Sequence, residues 1–412
     1  MITLIEALNF RCLKYIRQPL DSFHVLVGPN ASGKSTFLDV ISFIGDIVRS
    51  GPEIAVRRRT PNYNDLIWQK KGTSFELAIE MKIPKKYEGL IGRKGNCRYE
   101  IAIGTINETG ELGILSETMW FKPEQKVEKR QLQIFPSPLP PPETIIISGT
   151  RKNWKKVVNK VKGGNDNFYA ETKGFDHAFK LGLQKSALGN LPEDESKFPV
   201  ATWLKRNLID GIQTLMLNSE VMRKPSPPGL PRHFRTDGSN LPWVVERLSK
   251  EHPDRFHDWI EHLRTALPDL ETIKTILKED DQNRYIVVKY RSGLEVPSWM
   301  VSDGTLRMLA LTVLAYLPDI EGTLLIEEPE NGIHPSAVEA VFQSLSSVYN
   351  AQILLATHSP VILSMVDADK VLCFAKTSEG ATDIVLGNNH PALKEWQGET
   401  NLGVLFAGGV LG

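Results

Sequence analysis

The sequence predicts an α/β protein: a mainly parallel sheet covered by helices, joined to an antiparallel β subdomain and interrupted by a largely helical insertion. Three observations predict it. An apolar run at 23–27 stops at a glycine-rich turn and continues into a segment of helical spacing. The last third alternates short apolar runs with helical patterns, which is how a parallel sheet reads. Between them, Ser74 to Ile134 alternates in twos, as FELAIEMKI, CRYEIAIGTI and ILSETMWF, with Gly, Pro and Asn between the runs.

The elements follow in order. Phe23-His24-Val25-Leu26-Val27 reads as a buried strand ending at Gly28-Pro29. Phe37, Leu38, Ile41, Ile44, Ile47 and Val48 then repeat at the spacing of one helix face. The proline-rich Ser137–Pro142 is a connector too stiff for helix or central strand. From about 150 to 280 the pattern is helical and irregular, broken again at Pro225–Gly229. Asp237-Gly238-Ser239-Asn240 before LPWVVERL predicts a helix capped by Ser239 or Asn240, with Pro242 in its first turn. A strand is expected at 284–290, then helix 304–317, strand 323–327, helix 335–348 and strands 352–356, 370–375 and 382–386. The expected division is an N-terminal lobe over 1–135, a mostly helical insertion over 136–280 and a C-terminal lobe with tail over 281–412.

Composition narrows the function. Lys+Arg and Asp+Glu number 49 each in 412 residues, so no overall charge draws the chain to nucleic acid. Cys12, Cys97 and Cys373 are far apart, without metal-ligand spacing, and suit reduced thiols. The N-terminus lacks the pattern of a signal peptide, and no run is long and apolar enough for a membrane helix, so a cytoplasmic location without membrane contact is expected.

Four segments carry chemistry. Gly28, Pro29, Asn30, Ala31, Ser32, Gly33, Lys34 and Ser35, followed by Thr36, match G-x-x-x-x-G-K-[ST]. Glycines let the backbone wrap a phosphate, the lysine reaches the β and γ oxygens, and the serine hydroxyl suits Mg²⁺. Thr323-Leu324-Leu325-Ile326-Glu327-Glu328 is a buried strand ending in two acids. Neighbouring strand residues point to opposite faces, so Glu327 is assigned to the metal and Glu328 to the attacking water. His358, in Ala356-Thr357-His358-Ser359-Pro360, follows another apolar strand, where ligands bind in open α/β sheets. Ser302, Asp303, Gly304 and Thr305 open the helix LRMLALTVLAYL. These residues alone fit a plain helix cap and an anion-binding helix end equally well.

This ordered set, from the phosphate loop to ATHSP, resembles the ABC ATPase superfamily of P-loop NTPases. It is more closely similar to the RecF/SMC/OLD-like branch, and within it to the AAA-21-type predicted ATPases of prokaryotes. Asn9-Phe10-Arg11, the stretch Glu328 to Pro335 and the turn Asp237–Leu241 carry the same likeness, which covers about 1–80 and 280–375. The resemblance implies ATP and Mg²⁺ as cofactors, Mg²⁺ being held by Ser35 and Glu327, and a homodimer or higher homo-oligomer that sandwiches ATP. In it Ser302–Thr305 of one subunit face the phosphate loop of the other. Glu330, Asn331 and His334 would form the coupling loop, and Arg11 would line the nucleotide. Glu327 stands where the group has Asp, Asp303 and Thr305 replace usual signature residues, and Gln69 is the candidate for the loop glutamine. These departures point to slow hydrolysis.

Stand-alone ATPases of this kind resemble components of bacterial defence systems such as Septu and PARIS. The expected role is therefore a nucleotide-dependent switch controlling a separate effector, a nuclease or toxin, since only 54 residues follow His358. The alternatives are a RecF-like repair or chromosome-maintenance ATPase, a transporter subunit, and a non-hydrolysing scaffold. Arg57–Arg59 and the run Arg151 to Lys162, which includes Trp154, are the candidate nucleic-acid contacts, although basic runs also serve as solvated helix faces. The apolar, glycine-rich end from Trp396 to Gly412 reads as a docking segment or a partner-binding tail.

Overall fold

The structure, a computed structural model, describes residues 1–92, 94–106, 110–124, 133–394 and 402. The reading of the tail at 396–412 therefore lies, except for Leu402, outside the described residues. In chain order the strands are β1 (Ile2–Phe10), β2 (Leu13–Pro19), β3 (Phe23–Val27), β4 (Ser74–Lys82), β5 (Asn96–Thr105), β6 (Leu112–Lys122), β7 (Lys155–Val161), β8 (Asp166–Phe168) and β9 (His177–Phe179). They continue as β10 (Ile212–Leu215), β11 (Leu270–Leu277), β12 (Arg284–Tyr290), β13 (Glu295–Pro297), β14 (Gly322–Glu327), β15 (Ala351–Ala356), β16 (Val371–Lys376) and β17 (Thr382–Leu386).

Three sheets result. The central one has the order β10-β14-β15-β3-β16-β17, parallel except for β17. The inner strands β3, β14, β15 and β16 are buried on both faces over most of their length, which is why they read as largely apolar runs. Leu26, Leu325, Leu354 and Phe374 enter one core with the helix Lys34–Ser50 and the antiparallel sheet. Their neighbours Val25, Val27, Leu324, Ile326, Ile353, Leu355 and Cys373 enter a second core with helices Leu241–Glu251, Pro253–Ala266, Asp303–Thr312 and Pro335–Ser346. Each face of the sheet thus has its own hydrophobic body. A second sheet, β2-β1-β4-β5-β6-β7-β8-β9, is antiparallel throughout. The third, β11-β12-β13, is small and antiparallel. Buried Gln352 ties the chain start to the central sheet, accepting from Ile2 N and donating to the Ile2 and Asp21 carbonyls.

The segment 136–280 is mixed, not mostly helical. It begins as a strap across one face of the antiparallel sheet. Glu76 accepts from Thr144 and Ile145, Arg98 donates to the Ile145 carbonyl, and Glu100 accepts from Ile147 N. Arg98 also bridges Glu6, Glu80 and Glu100 beneath the strap, with Lys122 on Glu80. The segment then supplies β7–β9 to that sheet, the helix Pro199–Ile209, β10 to the central sheet, the helices Leu241–Glu251 and Pro253–Ala266, and β11. The Asp237–Asn240 turn also differs in detail from expectation. Asn240 does not cap the helix Leu241–Glu251. It accepts from Arg235 N and donates to the Pro231 and His233 carbonyls, pinning the preceding loop. Pro242 does lie in the first turn.

Candidate functional site

The site forms where β3, β14 and β15 end side by side. After Val27 the chain turns through Gly28, whose φ of 149° and distance of 2.3 Å from a built Cβ to the Phe374 carbonyl admit only glycine. Ala31 (φ 61°) and Gly33 (φ 107°) complete the wrap, and the helix begins at Lys34. Behind the loop, buried Thr382 at the start of β17 donates its hydroxyl to the Ser32 carbonyl at 2.8 Å. The Ser32 hydroxyl is itself buried, with no hydrogen-bond partner among the described residues.

Lys34 is 7% exposed and donates to the Gly28 and Pro29 carbonyls at 2.7 and 3.0 Å. Burial lowers its pKa to about 8, against the opposing pull of Glu328 and Glu327. Glu327 shares its strand face with Leu325, the side of the helix Lys34–Ser50. That parity is why the Ser35 hydroxyl donates directly to the Glu327 carboxylate. Glu328 leaves the strand with φ 46°. Its N–H donates to the Ala356 carbonyl at 2.8 Å, and the Asn331 side chain donates to its carboxylate.

His358 follows β15, and its backbone N–H, like the Thr357 hydroxyl, donates to Glu330 at 3.0 and 2.6 Å. One carboxylate thus joins the loop after the acidic strand to the histidine segment. Burial, and then the Lys34 ammonium, lower the His358 pKa, favouring neutral imidazole. Arg11, with φ 49°, pairs with Asp39 at 3.0 Å. These groups open on one cleft of about 610 Å³, lined by Arg11, Asn30 to Thr36, Gln69, Glu327, Glu328 and His358. Asp65, Lys70, Lys376 and Cys12 line it too, and no motif announced them.

Ser302–Thr305 do not line this cleft. Ser302 caps the helix Asp303–Thr312, accepting from Thr305 N at 3.2 Å. Asp303 pairs with Arg223 at 2.6 Å, and Gly304 lies so near the Gly332 carbonyl that a Cβ would stand 2.4 Å from it. His334 caps the helix Pro335–Ser346, accepting from Ser336 N. The segment Ser302–Thr305 and the loop 330–334 therefore pack together through Gly304 and Gly332, outside the cleft.

The basic runs are largely engaged within the fold. Arg58 and Arg59 pair with Asp46, and Arg59, beside Asp39 as well, stacks on Phe43; Arg57 pairs with Glu53. In the second run Lys155 and Lys162 donate to backbone carbonyls, and Lys160 is buried against Asp166 at 2.6 Å.

A family model described as "AAA domain, putative AbiEii toxin, Type IV TA system" matches residues 23–364. The chain belongs to this AAA_21 family. Membership and the loop together imply ATP binding. Among solved structures, the SmcHead bound to the C-winged helix domain of ScpA is similar at 14% identity and TM-score 0.54, covering 93% of this chain and 97% of that one. An Smc head domain with an extended coiled coil, bound to the C-terminal domain of ScpA derived from Pyrococcus furiosus, matches at 14% identity and TM-score 0.51, over 93% and 95% of the two chains. No curated protein matches the sequence. This AAA_21 protein thus has the α/β fold of an SMC head, an ABC-type ATPase fold. Among the described residues no helix is long and apolar enough to cross a membrane.

Proposed function

We propose that the protein is an ATP-hydrolysing switch that works as a homodimer or higher homo-oligomer and controls a separately encoded effector of a bacterial defence system. The observation that carries the reading is the convergence of Lys34, the Ser35–Glu327 pair, Glu328 and His358 on one cleft. The residues fit the expected ligands. The cradle at Gly28 and Gly33 leaves no room for a Cβ, the buried Ser32 hydroxyl has no partner among the described residues, and Ser35 with Glu327 offers the oxygen donors that Mg²⁺ takes. A bound divalent ion would offset charge on the phosphate oxygens.

The protein's own residues then divide the work. Lys34 and the loop N–H groups bind the β and γ phosphates. Glu328, steadied by Asn331, orients the attacking water and accepts its proton. His358 presents a neutral ring to the γ side and is linked through Glu330 to the loop that packs on the signature helix. Ser302–Thr305, turned away from their own cleft, would complete the site of a second subunit. The family description, which names a toxin and a type IV toxin–antitoxin system, supports a separate effector. The engagement of most of the basic residues within the fold weighs against a RecF-like grip on duplex DNA.

Phosphate release from Mg·ATP by the wild-type protein and by Glu328→Gln tests the catalytic core. Loss of turnover by two orders of magnitude or more with ATP still bound is expected; equal rates would refute the assignment. Purification from the native host tests the role. Recovery without a second protein would count against the switch.

A further inference from the structure

A second concavity, of about 590 Å³, lies on the antiparallel sheet and shares no lining residue with the ATP cleft. Its construction begins at a tight turn. Trp154 N–H donates to the Arg151 carbonyl at 3.1 Å, with Asn153 left-handed at φ 67°, and this presents the Trp154 ring to the sheet. There it meets buried Trp120 edge-on, with ring centres 6.0 Å apart. Trp120 sits beside a register shift in the β6–β7 pairing and directly opposite Lys156, whose ammonium lies 4.5 Å from its ring centre. Tyr169 adds a further aromatic wall. Arg151 lies 5.6 Å from the Trp154 ring centre and has no carboxylate partner among the described residues. Lys155 reaches the Ala170 and Glu171 carbonyls at 2.8 and 3.0 Å, which leaves its third N–H.

Three cations and one carboxylate, Asp176, thus line a cavity walled by aromatic rings. Its volume falls within the range of small-ligand sites. Asp176 accepts from Ala170 N at 2.9 Å through one carboxylate oxygen and its charge acts on Lys155, so the cationic character of the cavity rests on Arg151 and Lys156. Burial lowers the pKa of both Lys155 and Lys156, a cost that an anion seated between them would relieve. A planar ring stacked on Trp154 or Tyr169 with a phosphate toward Arg151 and Lys156 satisfies each of these features together.

We infer that this cavity is a second ligand site, one that takes a nucleobase bearing a phosphate. Free nucleotides and the unstacked end of a single strand present the same chemistry. The site is independent of whether the first cleft hydrolyses ATP.

The test uses the full chain carrying Lys34→Ala, so that the first cleft contributes little nucleotide binding. Equilibrium dialysis with labelled AMP, GMP, CMP and UMP, with ribose 5-phosphate as the baseless control, should show one saturable equivalent for at least one nucleotide. Ribose 5-phosphate should bind at least tenfold more weakly. Trp154→Leu and Arg151→Gln, added singly, should each weaken binding about tenfold. ATP binding by Trp154→Leu with Lys34 intact reports that the fold survives. A ten-nucleotide single strand that binds more tightly than every mononucleotide assigns the site to nucleic acid, and the reverse order assigns it to free nucleotides. Absence of binding by both, or binding that Trp154→Leu leaves unchanged, overturns the inference.

Discussion

Raising the pH should weaken ATP binding through Lys34. Burial holds this ammonium at about 8 in the ligand-free protein, below the 10.5 of a free lysine, while Glu328 and Glu327 pull the other way. Phosphate oxygens favour the charged form, so the bound protein keeps its proton to higher pH. The sign follows from linkage. Below about 7 the free protein is already protonated and affinity is flat; as pH rises through 8, binding must recover a proton and affinity falls. With a free pKa of about 8, roughly three quarters of Lys34 is charged at pH 7.5 and about 3% at pH 9.5. The dissociation constant should therefore rise about 20-fold across that window, or about 1.8 kcal/mol. Titration with a non-hydrolysable ATP analogue from pH 7.5 upward measures this, and Glu328→Gln should move the fall to lower pH by removing one supporting carboxylate. A flat profile, or the same slope in Lys34→Arg, whose guanidinium does not titrate there, would refute the reasoning.

Three further outcomes are expected. Gly33→Ala, with φ at 107° and a Cβ 2.4 Å from the Thr382 hydroxyl, should cost about 1–3 kcal/mol in thermal unfolding and weaken ATP binding at least tenfold; unchanged ATP affinity would contradict the cradle. Arg98→Met leaves Glu6, Glu80 and Glu100 beneath the strap with Lys122 as the one cation ion-paired to them among the described residues and neutral donors from Tyr15, Thr118, Trp120 and Ile147 N, and should lower stability by about 3–5 kcal/mol in urea; a loss under about 1 kcal/mol would show that water already reaches those carboxylates. Ser302→Ala should cost about 1 kcal/mol as a lost helix cap, yet weaken the ATP-locked dimer of Glu328→Gln more than tenfold by light scattering; an unaffected dimer would confine Ser302 to capping.

Much of the cleft was legible in the sequence because parallel strands buried on both faces read as apolar runs that end abruptly, and ligand groups stand at those ends. Alternation along β14 puts Glu327 on the face of Leu325, whereas Glu328 lies past the strand end with φ 46°, where alternation no longer applies. What escaped depended on distance or on disguise. Lys155–Val161 reads KKVVNKV, without the alternation of a strand, and its charge suggested a solvated surface; Lys160 instead turns inward to Asp166. Thr382 supports the loop from 350 residues away, in a segment with no motif. The ion pair of Asp303 was not legible because Arg223, its partner, is 80 positions earlier in the chain and within an irregular stretch. Strand β10 is four residues long, too short for its register beside β14 to show in a pattern.

The place of β3 has a consequence for biogenesis. Phe23 pairs with Ile353 and Val25 with Val371, so the strand that launches the phosphate loop gains its lateral partners only after more than three hundred further residues have been translated. A ribosome-bound chain therefore emerges with its nucleotide motif exposed and unable to close. Non-local pairing of this kind slows folding, and a cleft that takes Glu327, Glu328 and His358 cannot be completed on a shorter polypeptide.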